Sequence, residues 1–209
     1  MLIVYGTPRT RASRVTWMLE EIGASYDYRP VALDKGEGRQ SPYLALNPTG
    51  KVPTLVDGEL VLSESAAIVT YLGDKYTLSN LVPRTGGAAR AKYNQWCYFC
   101  LSELEQPLWT RAKHTFALPE NKRVPAIKDT ALWEFTQAAK VLAQQLDRTD
   151  FVLGAEFSAA DVLIGHTLGW AKAAKIELSQ DSLKAYADRV LSRPALAQAY
   201  QREQQAIAA

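Results

Sequence analysis

The chain has 209 residues, enough for one large domain or two modest ones with a sizeable core. Apolar residues make up 47% and charged residues 22%, which excludes a disordered or collagen-like chain. Twenty-four Lys plus Arg against 22 Asp plus Glu leave a net charge of +2, so nothing chain-wide favours nucleic acid or an anionic membrane, and an acidic ligand must be held locally.

The first residues, MLIVYGTPRTRAS, show no basic region ahead of their few apolar residues, and no stretch approaches the roughly 18 apolar residues of a membrane span. The expectation is a cytoplasmic protein that binds neither membrane nor nucleic acid. Its two cysteines, Cys97 and Cys100, are expected as reduced thiols.

In chain order, 2–6 (LIVYG) reads as a strand, and 13–23 as a helix with Val15, Met18, Leu19 and Ile22 at helical spacing and Gly23 as the stop. Residues 26–33 form a second strand whose Pro30 places it at an edge or an end. A turn-rich stretch, 35–42, leads to a short helix over 41–50 that closes on Asn-Pro and Gly. Strands 53–57 and 59–62 flank Asp57-Gly58, a strong hairpin signal. Residues 63–76 then open on a capping serine and continue as a helix. The order is βαβαββα, covering 1–77, with a loop-like linker over 78–87.

From Ala88 the pattern is helical: 88–113, 123–147, 159–175, 180–192 and 194–207. Ser158 and Asp161 have the spacing of a capping box. The tail 202–209 is expected to fray. The fold class is therefore α/β plus all-α, with 88–209 as a helical bundle domain.

Within that frame stand Val52-Pro53 before the third strand, Glu64-Ser65 at the start of the third helix, Phe157-Ser158 with Ala160-Asp161, and Arg193-Pro-Ala195. Together these motifs, in this order over nearly the whole chain, resemble the cytosolic glutathione S-transferases, in particular bacterial members that begin Y-G-T-P-R-T-R-x-S-R-V. The resemblance implies a thioredoxin-like first domain, glutathione as co-substrate, no metal, a homodimer, and an electrophile site supplied with the helical domain.

The resemblance also implies a cis Val52-Pro53 bond, which an X-Pro peptide adopts at a cost of only about 0.5–1 kcal/mol. The turn would leave the Val52 amide and carbonyl open to an extended peptide such as glutathione. A trans proline opening an edge strand is the alternative. Ser65 at a helix amino terminus suits the γ-glutamyl carboxylate and Glu64 the ammonium, whereas the plainer reading has Ser63 or Ser65 simply capping the helix. Lys51, followed by Arg39 and Gln40, is expected near the glycine carboxylate.

Glutathione must react as thiolate, and lowering a thiol from about 8.5 by about two pH units requires about 2.7 kcal/mol of selective stabilisation. In the family the responsible Tyr, Ser or Cys lies between the first strand and first helix. Here that loop runs from Tyr5 to Ser13 without a cysteine, which disfavours a Cys-based mixed disulfide. The slot of the Ser and Cys classes falls at Arg9. Thr10 is the first candidate donor, then Arg11, Ser13 and Tyr5, with Arg9 or Arg11 stabilising the thiolate by charge; Ser13 is alternatively an N-cap. Cys97-x-x-Cys100 invites a redox reading, but its place inside a helical run makes two small core residues the better account; Tyr93, Trp96, Cys97, Cys100 and Trp109 are candidates for the electrophile pocket, and core packing explains most of the aromatics equally well. His114 and His166 stand alone, and no metal site is expected.

The expected function is conjugation of glutathione to small hydrophobic electrophiles. Glutathione-dependent reduction of peroxides or disulfides at the same site is the alternative. A non-catalytic scaffold of the kind found in the stringent starvation proteins is the alternative of another class.

Overall fold

The structure, a computed structural model, describes residues 1–208. They form two compact units, residues 1–82 with 192–208 and residues 83–191.

In the first unit, strands β1 (Leu2–Gly6), β2 (Tyr26–Pro30), β3 (Thr54–Asp57) and β4 (Leu60–Ser63) make one sheet of order β2-β1-β3-β4. The β1–β2 pair is parallel and the other two are antiparallel. Parallel pairing needs a crossover, supplied by α1 (Ala12–Ile22), which ends on left-handed Gly23 at φ 73°. Leu2 and Val4 turn one face of β1 into the core, where Val15, Trp17, Met18 and Leu19 of α1 are fully buried. Helices α2 (Ser41–Leu46) and α3 (Ser65–Lys75) complete the expected βαβαββα order. Two boundaries are shorter than the sequence implied. The second strand stops at Pro30, which has no amide to extend the ladder, and short 3₁₀ turns follow at Leu33–Lys35 and Glu37–Arg39. Helix α2 stops at Leu46, and Asn47 leaves the helical path one residue before Pro48.

In the second unit, α4 (Ala88–Phe99) passes into a wide π-type stretch, Cys100–Glu105, then α5 (Gln106–Ala112) and a second wide stretch, Lys113–Ala117. Pro107 has no N–H to return to the preceding turn, a local cause for the widening. Helices α6 (Ile127–Leu146), α7 (Ala159–Ala173) and α8 (Asp181–Leu191) follow. The expected capping box is present at the start of α7. Asp161 accepts from the Ser158 amide at 2.9 Å, the Ser158 hydroxyl at 2.7 Å, the Val152 amide at 2.9 Å and the Tyr186 hydroxyl at 2.8 Å.

The last helix, α9 (Pro194–Ala208), corrects the expected domain division, because it belongs to the first unit. Arg193 makes a bidentate pair with Glu21 at 2.6 and 2.7 Å, and Arg202 pairs with Glu20 at 2.9 Å while lying over the Tyr26 ring. These contacts and a packed apolar face fix α9 on α1 and β2. Residues 202–208 accordingly continue the helix instead of fraying, and Glu203 is fully buried. Among the described residues, no helix is long and apolar enough to cross a membrane.

Candidate functional site

The Val52-Pro53 bond is cis, as expected. The loop leading to it is held from beneath. The Tyr43 hydroxyl donates to the Lys51 carbonyl at 2.6 Å, and Asn47 Nδ2 donates to the same oxygen at 2.8 Å and to Thr54 Oγ1 at 3.2 Å. Tyr43, Asn47 and Thr54 are all buried. Gly50 is left-handed at φ 65°, and a Cβ there would stand 2.5 Å from the Gly38 carbonyl, so only glycine allows the two loops to meet. Arg39 lies against Gly50, which brings Arg39, Gln40 and Lys51 into one loop cluster with exposed side chains. Among the described residues, nothing hydrogen-bonds to the Val52 amide or carbonyl. A free donor and acceptor on one half-buried residue at a sheet margin is the arrangement that an extended peptide can pair with.

Glu64, the residue before α3, has φ 69° and ψ 110°, a conformation that costs a non-glycine residue about 1–3 kcal/mol and concentrates at functional positions. No side chain caps this helix, which sets aside the reading of Ser63 or Ser65 as a simple cap. Instead Ser65, 4% exposed, accepts through Oγ from Arg14 Nη1 at 3.1 Å. Arg14 is fully buried in α1. Its guanidinium adds a full positive charge beneath a helix amino terminus that already carries a partial one, a combination suited to a carboxylate. Sequence reading missed Arg14, Tyr43 and Asn47. A signal existed for Arg14, which stands one turn before Met18 on the apolar face of α1.

The structure separates the candidates in the loop after β1. Ser13 is not the N-cap of α1 and does not reach the loop surface. It is fully buried in the first turn, donates to Glu203 Oε2 at 2.9 Å, and accepts from the Arg9 amide at 3.1 Å, which removes it as a sulfur contact. Thr10 Oγ1, in the turn before α1, accepts from the Ala12 amide at 3.2 Å and donates to the Thr7 carbonyl at 2.6 Å, and Thr10 remains half-buried. Arg9 is left-handed at φ 57°, and its guanidinium lies 5.0 Å from the Tyr200 ring centroid, on α9. The Tyr5 hydroxyl accepts from Arg29 Nη1 at 3.1 Å while its ring lies beside Tyr43. Arg11 is half-buried at the helix start. Glu203, which organises this loop, was also missed, since the polar tail REQQ carries no signal for a buried acid.

In the second unit, four of the five residues expected to line an apolar pocket are packed in the interior: Tyr93 and Cys100 are fully buried, Cys97 is 3% exposed and Trp96 9%. Burial pushes the Cys97 thiol up to about 12, so it is a core residue and not a redox group. Trp109 is half-buried against Trp170. A surface hollow of about 410 Å³ in this unit is lined instead by residues that include Phe99, Pro107, Trp133 and Val141.

Comparison with known proteins agrees with the motifs. Residues 1–74 match the family model of the glutathione S-transferase N-terminal domain. The chain is similar to glutathione S-transferase 3 of Zea mays, at 35% identity over 170 residues covering 77% of this chain and 73% of that protein. It is similar to the disulfide-bond oxidoreductase YfcG of Escherichia coli strain K12, at 29% identity over 209 residues covering 95% and 94%. Among solved structures, a glutathione S-transferase from Xylella fastidiosa matches with a TM-score of 0.86 at 28% identity, covering 98% of this chain and 99% of that one.

Proposed function

Given that the chain belongs to the glutathione S-transferase family, we propose that its first unit binds glutathione as a short added strand and presents the sulfur as thiolate to small hydrophobic electrophiles. The observation that carries this reading is the unpaired Val52 main chain beside the cis-proline turn, in the same unit as a helix start whose Ser65 rests on the buried Arg14. Val52 pairs with the cysteinyl backbone of the ligand. The Ser65 amide and hydroxyl take the γ-glutamyl carboxylate, and Glu64 takes the ammonium. Lys51, with Arg39 and Gln40, neutralises the glycine carboxylate. Thr10 gives the thiolate its hydrogen bond by turning its O–H away from the Thr7 carbonyl, and Arg11 adds positive charge. The thiolate then forms a C–S bond as the leaving group departs with its electron pair. Family members commonly pair as homodimers, and the same assembly is proposed here.

Similarity to a disulfide-bond oxidoreductase supports a second reading. In that chemistry the bound thiolate attacks a disulfide sulfur and releases one thiolate, after which a second glutathione frees the other as oxidised glutathione forms.

The test is titration of the protein with glutathione while thiolate absorbance is followed, then turnover assays with a halonitrobenzene, a peroxide and a small disulfide. Binding, thiolate formation and halonitrobenzene conjugation support transfer. Turnover of the disulfide or peroxide alone selects the second reading, and absence of binding rejects both in favour of a scaffold.

A further inference from the structure

We infer that Glu203, on the last helix, is a positioning residue for the thiol-activating loop, so that glutathione ionisation depends on a carboxylate almost two hundred residues away in sequence.

Glu203 is fully buried and reaches three donors on two successive turns of chain. Oε2 accepts from the Arg9 amide at 3.3 Å and from the Ser13 hydroxyl at 2.9 Å, and Oε1 accepts from the Thr16 hydroxyl at 2.6 Å. The carboxylate thus bridges the loop that precedes α1 to the body of that helix. Arg9 needs such a bridge because its left-handed backbone is unfavourable for a residue with a Cβ. The Arg9 amide is held by Glu203 and Ser13 together, and its guanidinium is held by Tyr200, one turn before Glu203 on α9. Thr10, the proposed donor to the thiolate, is the next residue.

A stability role alone does not account for this acid. A buried carboxylate carries a desolvation cost, and well-packed apolar residues generally serve stability as well or better. A carboxylate does offer two acceptor atoms with fixed geometry, and here they face one amide and two hydroxyls.

The inference rests on the glutathione reading above, and the test separates the two. Glu203→Ala and Glu203→Gln are compared with the wild type for kcat, for glutathione KM, for affinity toward S-methylglutathione, and for amide hydrogen exchange at Arg9. For Glu203→Ala the expected result is a tenfold or larger loss of kcat, of the order that misplacement of a reacting group by about 1 Å produces. S-methylglutathione affinity stays within about twofold, since its anchors at Val52 and Ser65 are untouched, and the pH at which bound glutathione ionises moves up. Glu203→Gln retains an acceptor and recovers most of the activity. An unchanged kcat and bound-thiol ionisation in Glu203→Ala overturns the inference, as does a loss that merely tracks the folded fraction. Should the wild type fail to bind glutathione, the functional reading falls, and Arg9 exchange alone decides: lost protection in Glu203→Ala upholds the positioning role and retained protection overturns it.

Discussion

Each unit contains a fully buried carboxylate, and the two serve different ends. Asp161 accepts from four donors that all belong to the start of α7 and its immediate surroundings, the Val152 and Ser158 main chain with the Ser158 and Tyr186 hydroxyls. Glu203 accepts from three donors on the loop and helix that frame the candidate glutathione site. Burial raises both acids above the ordinary carboxylate range, opposed in each case by the donated hydrogen bonds. Similar chemistry therefore locks a helix start in one unit and shapes a reactive loop in the other. What distinguishes them is which elements donate.

The largest effect expected from this contrast is on folding. Asp161→Ala strands two amides and the Ser158 and Tyr186 hydroxyls, at about 1–3 kcal/mol for each unsatisfied buried group, so a loss of about 4 kcal/mol or more is expected in urea unfolding. Glutathione KM of the folded fraction stays the same, and a KM change would dissolve the distinction between the acids. Next, Ser65→Ala removes the hydroxyl from the carboxylate site and the hydrogen bond that Ser65 accepts from Arg14. Glutathione KM rises by about tenfold, the size expected for a hydrogen bond to a charged group, and thermal stability falls by less than in Asp161→Ala, because one buried hydrogen bond is lost and not four.

Sharper still is a pH comparison. An acid whose folded value is raised contributes stability that is fully present below its unfolded value of about 4.3 and is lost as pH rises through the folded value. The Glu203→Gln protein carries no such titration. Relative to the wild type its unfolding free energy therefore improves as pH rises above about 4.3 and through the raised folded value, and the opposite slope would show that Glu203 is stabilised as the anion. The smallest effect concerns Cys97, whose raised thiol and burial predict no alkylation by iodoacetamide in native protein and rapid alkylation once urea unfolds it.

What was legible in the sequence follows the range of the interactions. The βαβαββα order, the helix start near Glu64-Ser65 and the Asp161 capping box rest on residues within a few positions of one another, where turn chemistry and periodicity act, whereas the cis proline followed from the family resemblance, since the local residues left a trans bond open. Arg14 under Ser65 and Glu203 under Arg9 join residues 51 and 194 positions apart, which no local pattern encodes. The same limit explains two misplacements. Ser13 looked like an N-cap because a hydroxyl at a helix start normally is one, yet α1 starts after Arg11 without a side-chain cap and a distant acid claims Ser13. The aromatic and thiol residues of α4 looked equally suited to a pocket or a core, since helical spacing identifies an apolar face without saying what covers it.

The central claim is that the Val52 main chain and the start of α3 together hold glutathione. Amide chemical shifts of isotopically labelled protein during a glutathione titration test it most directly. The account predicts that the Val52 and Ser65 amides move furthest and saturate together, with Arg9 and Thr10 following as the loop receives the sulfur. Saturable shifts confined to other residues, or none at all, would contradict it.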